Sequence, residues 1–250
     1  MAARRPKPKE AAAEAQTRSR PRPPRSGRLA SPHHARAQRD RGAETRAELV
    51  EAALDVFGRL GFEGASTRAI AKAAGANLAA IVYHFGGKEA LYLAVAEHVA
   101  DSIAARIGPT IATAANPTAT ADPAAARAAL GVLIDTFIEV ILGVADAERW
   151  ARFLVREQMQ PTAAFDVIYR FMNGAAETAT RLVATILGER ESDDVKLRVI
   201  TLIGQILVFR VAQTLVLRRM GWRGIGDRQR RHIKRIVGEN LAAILKGSTP

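Results

Sequence analysis

Hydrophobic side chains in this chain recur at helical rather than strand spacing. From residue 43 onward, the first apolar positions fall on one face of a helix; they are Leu49, Ala53, Val56, Phe57 and Leu60. Gly61 follows this stretch and predicts the end of the helix. No segment shows the alternation of apolar and polar residues expected of a half-buried strand. The pattern therefore predicts an all-α fold.

Two short helices joined by a tight turn are predicted next. Ser66 and Asn77 are suited to cap their N-termini, and "AAGAN" (73–77) separates them. Its small residues allow a close approach, while Ile70 and Ile81 supply a shared core. With the preceding helix, these segments predict a three-helix unit of the helix-turn-helix kind, whose last helix reads base edges in a DNA major groove.

Longer helices are predicted in the rest of the chain. One begins near residue 88 and ends before Gly108-Pro109, and residues 108–123 are interpreted as a loop between two domains. Asp122-Pro123 then forms a helix start. Further helices are predicted around Trp150 and at 162–187, 193–219 and after Asp227. The 193–219 helix is apolar on all sides and must be covered all round.

The positive charge lies mainly at the N-terminus. The formal net charge is +12, and residues 1–42 hold twelve lysines and arginines against three acids. This segment has almost no large apolar residues, so it is predicted to be a disordered basic tail. Two roles stay open for it: a solubilising extension or a non-specific DNA-binding arm.

Other classes of protein find little support in the sequence. The absence of cysteine excludes disulfides and thiol catalysis. No secretory signal is apparent, and Arg210 interrupts the most apolar stretch (199–217), which favours a buried helix in a cytoplasmic protein over a membrane span. Gly86-Gly87-Lys88 lacks the further residues of a phosphate-binding loop. We therefore predict no catalytic residues, no metal site, no cofactor and no enzymatic activity.

A family resemblance rests on residues 44 to about 92. The segment "ALDVFGRLGFEGASTRAIAKAAGANLAAIVYHFGGKEALY" resembles the DNA-binding domain of TetR-family transcriptional regulators. It has the aliphatic-Phe helix, the Gly-Phe turn, Thr-x-x-Ile-Ala, the Ala-Gly turn, Tyr-His-Phe and Lys-Glu-x-Leu. "RFLVREQMQPTAAFDVIY" (152–169) and "LIGQILVFRVAQTLVLRRMGW" (202–222) are similar to the C-terminal domain of CecR-like members of that family.

This resemblance implies a set of residues that contact DNA. Their expected roles are contacts with phosphates or base edges, and the residues are Thr67, Arg68, Leu78, Ala79, Ala80, Tyr83, His84 and Lys88. Leu78, Ala79 and Ala80 occupy the base-facing positions but carry no hydrogen-bonding groups. Specificity is then expected from thymine methyl contacts, Arg68 and DNA shape. Phe85 is interpreted as a core residue beneath the recognition helix.

The resemblance also implies an unknown small-molecule effector bound in the C-terminal domain. Candidate contacts are polar or aromatic residues within apolar helices: Trp150, Phe153, Glu157, Tyr169, Arg210 and Gln213. Because a buried charge is rarely tolerated unpaired, a Glu157–arginine pair across helices is expected. It is interpreted equally as a ligand contact or as a structural ion pair.

The predicted organisation is a basic tail (1–42), a helix-turn-helix DNA-binding domain (43–90) and an effector-binding and dimerisation domain (91–250). The expected function is that of a repressor which binds a palindromic operator in double-stranded DNA as a homodimer, joined through residues 193–246, and is released by the effector. The alternative is a nucleoid-type or RNA-binding protein that binds nucleic acid through the basic tail with little dependence on sequence.

Overall fold

The computed structural model describes residues 32–245. Over this range the chain forms α-helices and one short 3-10 helix (Pro117–Thr120), with no strand, which confirms the all-α prediction. In chain order the α-helices are α1 (Pro32–Gly64), α2 (Thr67–Ala73), α3 (Leu78–Phe85), α4 (Lys88–Ala114), α5 (Pro123–Gly143), α6 (Ala147–Met159), α7 (Ala163–Leu187), α8 (Asp193–Val211), α9 (Gln213–Met220) and α10 (Asp227–Ile244).

Helix α1 begins earlier than the sequence pattern predicts. Residues 1–31 of the predicted disordered tail lie outside the described residues, and the prediction is wrong for residues 32–42 because they belong to α1. Their alanine, arginine and glutamine residues favour a helix. The regular part of α1 ends where predicted, since Gly61 leaves the helical region with φ 74° and ψ 178°.

Helix α4 continues past the proline that was expected to end it. The predicted end before Gly108 and the predicted loop from 108 are wrong, because α4 runs to Ala114 with Pro109 inside it. Proline in a helix interior costs roughly 3 kcal/mol. The last turns of α4 bury Ile107 and Ala114, and Ile111 packs against the core. This tertiary packing keeps the segment helical.

The C-terminal part is a bundle built around three mutually packed helices. Helices α4, α5 and α7 contact one another, α8 packs on α5 and α7, and α10 packs on α5 and α8. Asp122 begins α5 as predicted, with Oδ1 accepting hydrogen bonds from the backbone nitrogens of Ala124 and Ala125 at 2.8 Å each. Residues from Arg41 onward form one compact unit. The predicted boundary between residues 90 and 91 falls inside α4, and the division into domains stays a prediction.

The predicted 193–219 helix is broken in two. The chain bends by 76° between α8 and α9 at Ala212. Arg210, close to the break, donates to the carbonyl of Ile141 on α5, a tertiary contact that periodicity does not reveal. Among residues 32–245, no single helix is both long and apolar enough to cross a membrane. Two pairs of consecutive helices, α5 with α6 and α8 with α9, reach the length and apolar composition of a membrane span only when both helices of the pair are counted together. Each pair is sharply bent.

Candidate nucleic-acid interface and effector sites

Local capping positions the two short helices of the helix-turn-helix. The Ser66 hydroxyl accepts a hydrogen bond from the backbone nitrogen of Ala69 at 3.1 Å. Asn77 Oδ1 accepts one from that of Ala79 at 3.0 Å. Both caps occur where the sequence predicts them, and each satisfies a backbone donor that the helix start leaves free.

The turn between α2 and α3 depends on glycine and on small side chains. Gly75 has φ 64°, a left-handed conformation that a Cβ disfavours. The backbone nitrogen of Ala76 donates to the carbonyl of Ala71 at 2.9 Å and closes the turn. Ile70 and Ile81 are fully buried between the helices, as predicted. Helix α3 is therefore fixed by its buried side, which leaves its other side at the surface.

The surface of α3 is largely apolar. Leu78 is 43% exposed, Val82 63% and Tyr83 84%. Ala79 is also exposed, whereas Ala80 packs partly against the core. Val82 lies one turn after Leu78 and was not among the predicted DNA contacts, although its i+4 spacing from Leu78 is visible in the sequence. This surface offers methyl groups rather than hydrogen-bonding groups to a base edge.

Polar residues flank this surface. Arg68 is exposed in the first turn of α2, and Thr67 beside it is half-buried. The Tyr83 and His84 rings lie edge to face with centroids 4.9 Å apart. Lys88 is half-buried, with Nζ 4.4 Å from the centroid of the Phe62 ring. The eight predicted DNA-contacting residues thus lie on α2, α3 and the start of α4, and their contact with DNA stays a prediction.

Phe85 has the structural role expected of it. Its ring packs partly against the core, and the Arg46 guanidinium on α1 lies 5.0 Å from its centroid. The end of α3 is thereby attached to α1.

A cluster of charges connects α6 to α1. Arg149 pairs with Asp55 at 2.8 Å, Glu51 at 2.7 Å and Asp146 at 3.1 Å. Partial burial lowers the pKa of Arg149, but the hydrogen bonds that its guanidinium donates to these carboxylates hold that pKa above its ordinary value. Asp55 and Arg149 are 94 positions apart, so sequence reasoning did not find this cluster. It is one of the contacts that link the C-terminal bundle to α1.

The predicted Glu157–arginine pair is wrong. Glu157 is 1% exposed and accepts hydrogen bonds from the Tyr92 hydroxyl and from Thr162, whose nitrogen lies at 3.2 Å and Oγ1 at 3.0 Å. Over residues 41–245, no arginine forms an ion pair with it. Burial and the bond to Glu157 raise the pKa of the Tyr92 hydroxyl. Arg210 instead donates to the Ile141 carbonyl at 2.8 Å and to Gln213 Oε1 at 3.0 Å.

An apolar cavity of about 110 Å³ lies between α4, α5, α7 and α8. Apolar side chains line it: Ile103, Ile107, Leu130, Leu133, Ile134, Phe137, Phe171, Met172, Ala175, Ala176, Ala179, Val199, Leu202, Ile203 and Ile206. None of the six predicted effector contacts is among them. Sequence reasoning missed these positions because they have the same apolar pattern as ordinary core residues.

The predicted effector contacts are dispersed instead. Trp150 and Phe153 are buried in the core, and Tyr169 is 52% exposed beside Phe165. Arg210 and Gln213 meet in an open cleft between α6 and α9. We call it the arginine cleft, because Arg152, Arg156 and Arg210 line it. As effector contacts, all six residues stay predictions.

Comparison with known families matches both parts of the chain. Residues 49–95 match the family model described as bacterial regulatory proteins, tetR family. Residues 126–248 match the model of the C-terminal domain of the HTH-type transcriptional dual regulator CecR.

Individual relatives agree with these matches. The chain is 34% identical over 213 residues to the HTH-type transcriptional dual regulator CecR of Shigella flexneri, covering 83% of this chain and 94% of that protein. A crystal structure of AibR in complex with isovaleryl coenzyme A and operator DNA aligns with a TM-score of 0.58 at 16% identity, over 78% of this chain and 97% of AibR. FadR from Bacillus subtilis in complex with stearoyl-CoA aligns with a TM-score of 0.55 at 16% identity, over 80% and 98% of the two chains. The two structures show a shared fold.

Proposed function

Since the chain belongs to the TetR family of transcriptional regulators and carries a CecR-type C-terminal domain, we propose that it acts as a repressor. Two copies bind a palindromic operator, and a small-molecule effector releases them. Each α3 enters a major groove, with the two recognition helices about 34–36 Å apart or at a multiple of that spacing.

The exposed side of α3 is the observation that carries this proposal. Ile81 is buried and anchors the helix, while Leu78, Val82 and Tyr83 are exposed to solvent. Such an apolar surface suits thymine methyl groups, and Tyr83 and Arg68 beside it suit phosphates and a base edge. We expect an operator whose half-sites contain thymines at the positions that face Leu78 and Val82.

A stripe on α8 supports dimerisation. Leu197, Ile200, Val208 and Val211 recur at helical spacing and are 57%, 60%, 46% and 58% exposed. Leu215 on α9 is 68% exposed. We call these five residues the α8 stripe. Exposed apolar residues grouped in this way mark an interaction site. We propose that it packs against the same stripe of a second copy, together with α10.

The apolar cavity supports an apolar effector. Its wall offers carbon atoms and almost no hydrogen-bonding groups, so it favours an alkyl or aromatic group. It lies against α4, whose first turn follows the recognition helix. A ligand that fills it displaces α4 and with it α3. Acyl thioesters of coenzyme A are the first compounds to test, since AibR and FadR are described as bound to such molecules.

Footprinting of the DNA immediately upstream of the gene tests the function. We expect one protected palindrome, whose protection is lost when an acyl thioester that binds the cavity is added. A reporter under that promoter should rise when the gene is deleted. A reporter that falls instead would indicate activation and contradict the repressor assignment, which matters because the CecR relative is described as a dual regulator.

One lysine variant and one arginine variant distinguish phosphate contact from base recognition. Lys88→Ala is expected to weaken binding about equally on all sequences, while Arg68→Ala relaxes specificity at one position in each half-site, by about 1–3 kcal/mol. Arg127→Ala, an exposed arginine on α5, is the control and should change neither. Affinities for the operator and for single-base variants at fixed salt measure both effects. Equal loss of specificity in both variants would contradict these roles.

The charge of the N-terminal segment favours a second candidate, sequence-tolerant binding to DNA or RNA. Deletion of residues 1–31 leaves the described part of α1 in place and removes most of the excess positive charge. A footprint on one palindrome that persists after this deletion supports the regulator. If the full chain binds all sequences equally and the deletion abolishes this binding, the result supports the alternative.

A further inference from the structure

The arginine cleft is a second recess, distinct in position and in chemistry from the apolar cavity. It has a volume of about 660 Å³ and lies between α6, α9 and the C-terminal end of α8, with Gly58 of α1 at its side. Three arginines and one carboxylate, Glu148, line it. The apolar cavity, in contrast, offers no charged side chain.

The charges of the arginine cleft do not balance. Glu148 Oε1 pairs with Arg152 Nη1 at 2.8 Å. Arg156 donates through Nη2 to the backbone carbonyl of Arg59 at 2.9 Å, and Arg210 donates to the neutral oxygens of Ile141 and Gln213. In the range 41–245, neither Arg156 nor Arg210 forms an ion pair with a carboxylate. The cleft thus keeps an excess of positive charge.

Arg210 is the residue of the cleft best suited to bind an anion. It is half-buried, and burial lowers the pKa of its guanidinium while the charge of Glu148 acts in the opposite direction. Its two hydrogen bonds use only part of the five N–H donors that a guanidinium carries. A partly desolvated arginine ordinarily pairs with a carboxylate or phosphate, which accepts two parallel hydrogen bonds.

We propose that the arginine cleft binds the phosphate or carboxylate group of a small-molecule effector through Arg152, Arg156 and Arg210. This inference rests on the proposed function, since it describes a chemical group of the effector of that same regulator. It adds an anion-binding site that is separate from the apolar one, and it places Arg210 and Gln213 beside the bound anionic group.

Arg156 connects this site to the DNA-binding helices. Its guanidinium holds the Arg59 carbonyl of α1 and lies against Gly61, where α1 turns toward α2. An anion in the cleft competes for the same N–H groups and draws Arg156 away from α1. The contact between α6 and α1 then loosens, and α2 and α3 lose part of the support that keeps them placed for operator binding. Anion binding is therefore expected to weaken the affinity for DNA.

Calorimetric titration of the full chain with sodium pyrophosphate and, separately, sodium succinate at constant ionic strength tests the site. We expect saturable binding of one ion per chain for at least one probe, and the tighter probe identifies the preferred group. Arg210→Gln and Arg152→Gln should each weaken it about tenfold or more, because each removes charge-assisted hydrogen bonds to the anion. Absence of saturable binding of both probes would overturn the proposal.

Arg127→Gln is the matched control. Arg127 is an exposed arginine on α5, roughly 20 Å along the helix from Ile141. This variant should bind the probe as tightly as the unaltered chain. Equal weakening in all three variants would show general attraction to a basic protein and would overturn the site. Arg210→Gln also removes the bond to Ile141, so circular dichroism must show a folded chain; if it does not, the exposed Arg152→Gln decides.

A DNA-binding measurement separates this inference from the proposed function. Pyrophosphate or succinate at saturating concentration should lower operator affinity in the unaltered chain and have less effect in Arg152→Gln. If an acyl thioester releases the operator while neither anion binds, the repressor proposal stands and the cleft proposal fails. If the anion binds and the variants respond, but no effector releases DNA, the cleft binds an anion and the proposed regulation fails.

Discussion

At the scale of single residues, Gly61 holds a backbone conformation essentially restricted to glycine. Its φ of 74° and ψ of 178° lie in a region that costs other residues about 1–3 kcal/mol. A Cβ at this position would lie 2.8 Å from Nη1 of Arg156. Gly61→Ala is therefore expected to lower the free energy of unfolding by about 1–3 kcal/mol. Urea denaturation followed by circular dichroism measures this difference.

Gly131→Ala provides the control for this substitution. Gly131 lies inside α5, and a Cβ built there meets nothing within 4 Å. Alanine at this helical position should raise the free energy of unfolding by up to about 1 kcal/mol. A loss of stability as large as that of Gly61→Ala would contradict the role assigned to the Gly61 backbone.

Tyr92 stabilises the buried carboxylate of Glu157 across two helices. The Tyr92→Phe substitution removes the hydroxyl donor but keeps the ring, which packs 4.6 Å from Phe57 and 5.1 Å from Phe153 by centroids. We expect the free energy of unfolding to fall by about 1.5–3 kcal/mol, the usual contribution of a hydrogen bond to a charged group. Tyr169→Phe, at a position 52% exposed, should change it by less than about 0.5 kcal/mol. Equal effects would argue against the buried bond.

Single-residue roles were predictable where the physics is local. Ser66, Asn77 and Asp122 cap their helices because a short polar side chain satisfies backbone donors two or three residues away. Glu157 shows the opposite case. Its burial was expected, but its partner Tyr92 lies 65 positions away, and composition does not tell a tyrosine partner from an arginine.

At the scale of helices, Pro109 weakens a segment that packing nevertheless keeps helical. It is exposed in the interior of α4 and provides no backbone donor. Pro109→Ala is expected to raise the free energy of unfolding, by as much as about 3 kcal/mol if the unfolded chain does not gain entropy in return. Thermal unfolding at matched protein concentration measures the gain.

Pro123→Ala tests whether the position of the proline matters. Pro123 occupies the first turn of α5, where no backbone donor is needed and the fixed φ is favourable. Its replacement should leave stability unchanged or lower it by a few tenths of a kcal/mol. A gain equal to that of Pro109→Ala would mean that helix interruption is not the cause.

Some helix boundaries are set by local interactions and others by tertiary packing. The starts of α2, α3 and α5 follow from their N-terminal caps, and these were predicted. The extension of α4 beyond Gly108 depends on Ile107 and Ala114 packing in the core, and the break at Ala212 lies beside the contact of Arg210 with α5. Neither interaction is visible in a helical period, so both boundaries were placed wrongly.

At the scale of the whole molecule, the helix-turn-helix was the most predictable candidate site. Its residues lie within one short segment and match a specific pattern, and the structure places them on α2, α3 and the start of α4. The apolar cavity and the arginine cleft assemble from helices far apart in sequence. For this reason only Arg210 and Gln213, of the six predicted effector contacts, line either recess.

The α8 stripe leads to the prediction about assembly. Ile200 belongs to this stripe and is 60% exposed in the single chain. If two copies join there, Ile200→Lys places a charge inside an apolar interface, which is costly unless the charge is paired. The variant is expected to be a monomer of about 26.9 kDa by light scattering, whereas the unaltered chain is expected to be a dimer.

Val132→Lys is the matched control, because Val132 on α5 is an apolar residue with 59% exposure that lies outside the α8 stripe. It should remain dimeric. A monomer has only one recognition helix, so Ile200→Lys should also lose the palindromic footprint while it retains its helical circular dichroism spectrum and weak binding to a half-site. A monomeric variant that still protects the full palindrome with unchanged affinity would show that α8 does not set the spacing of the two recognition helices. A dimeric Ile200→Lys would place the interface on another surface.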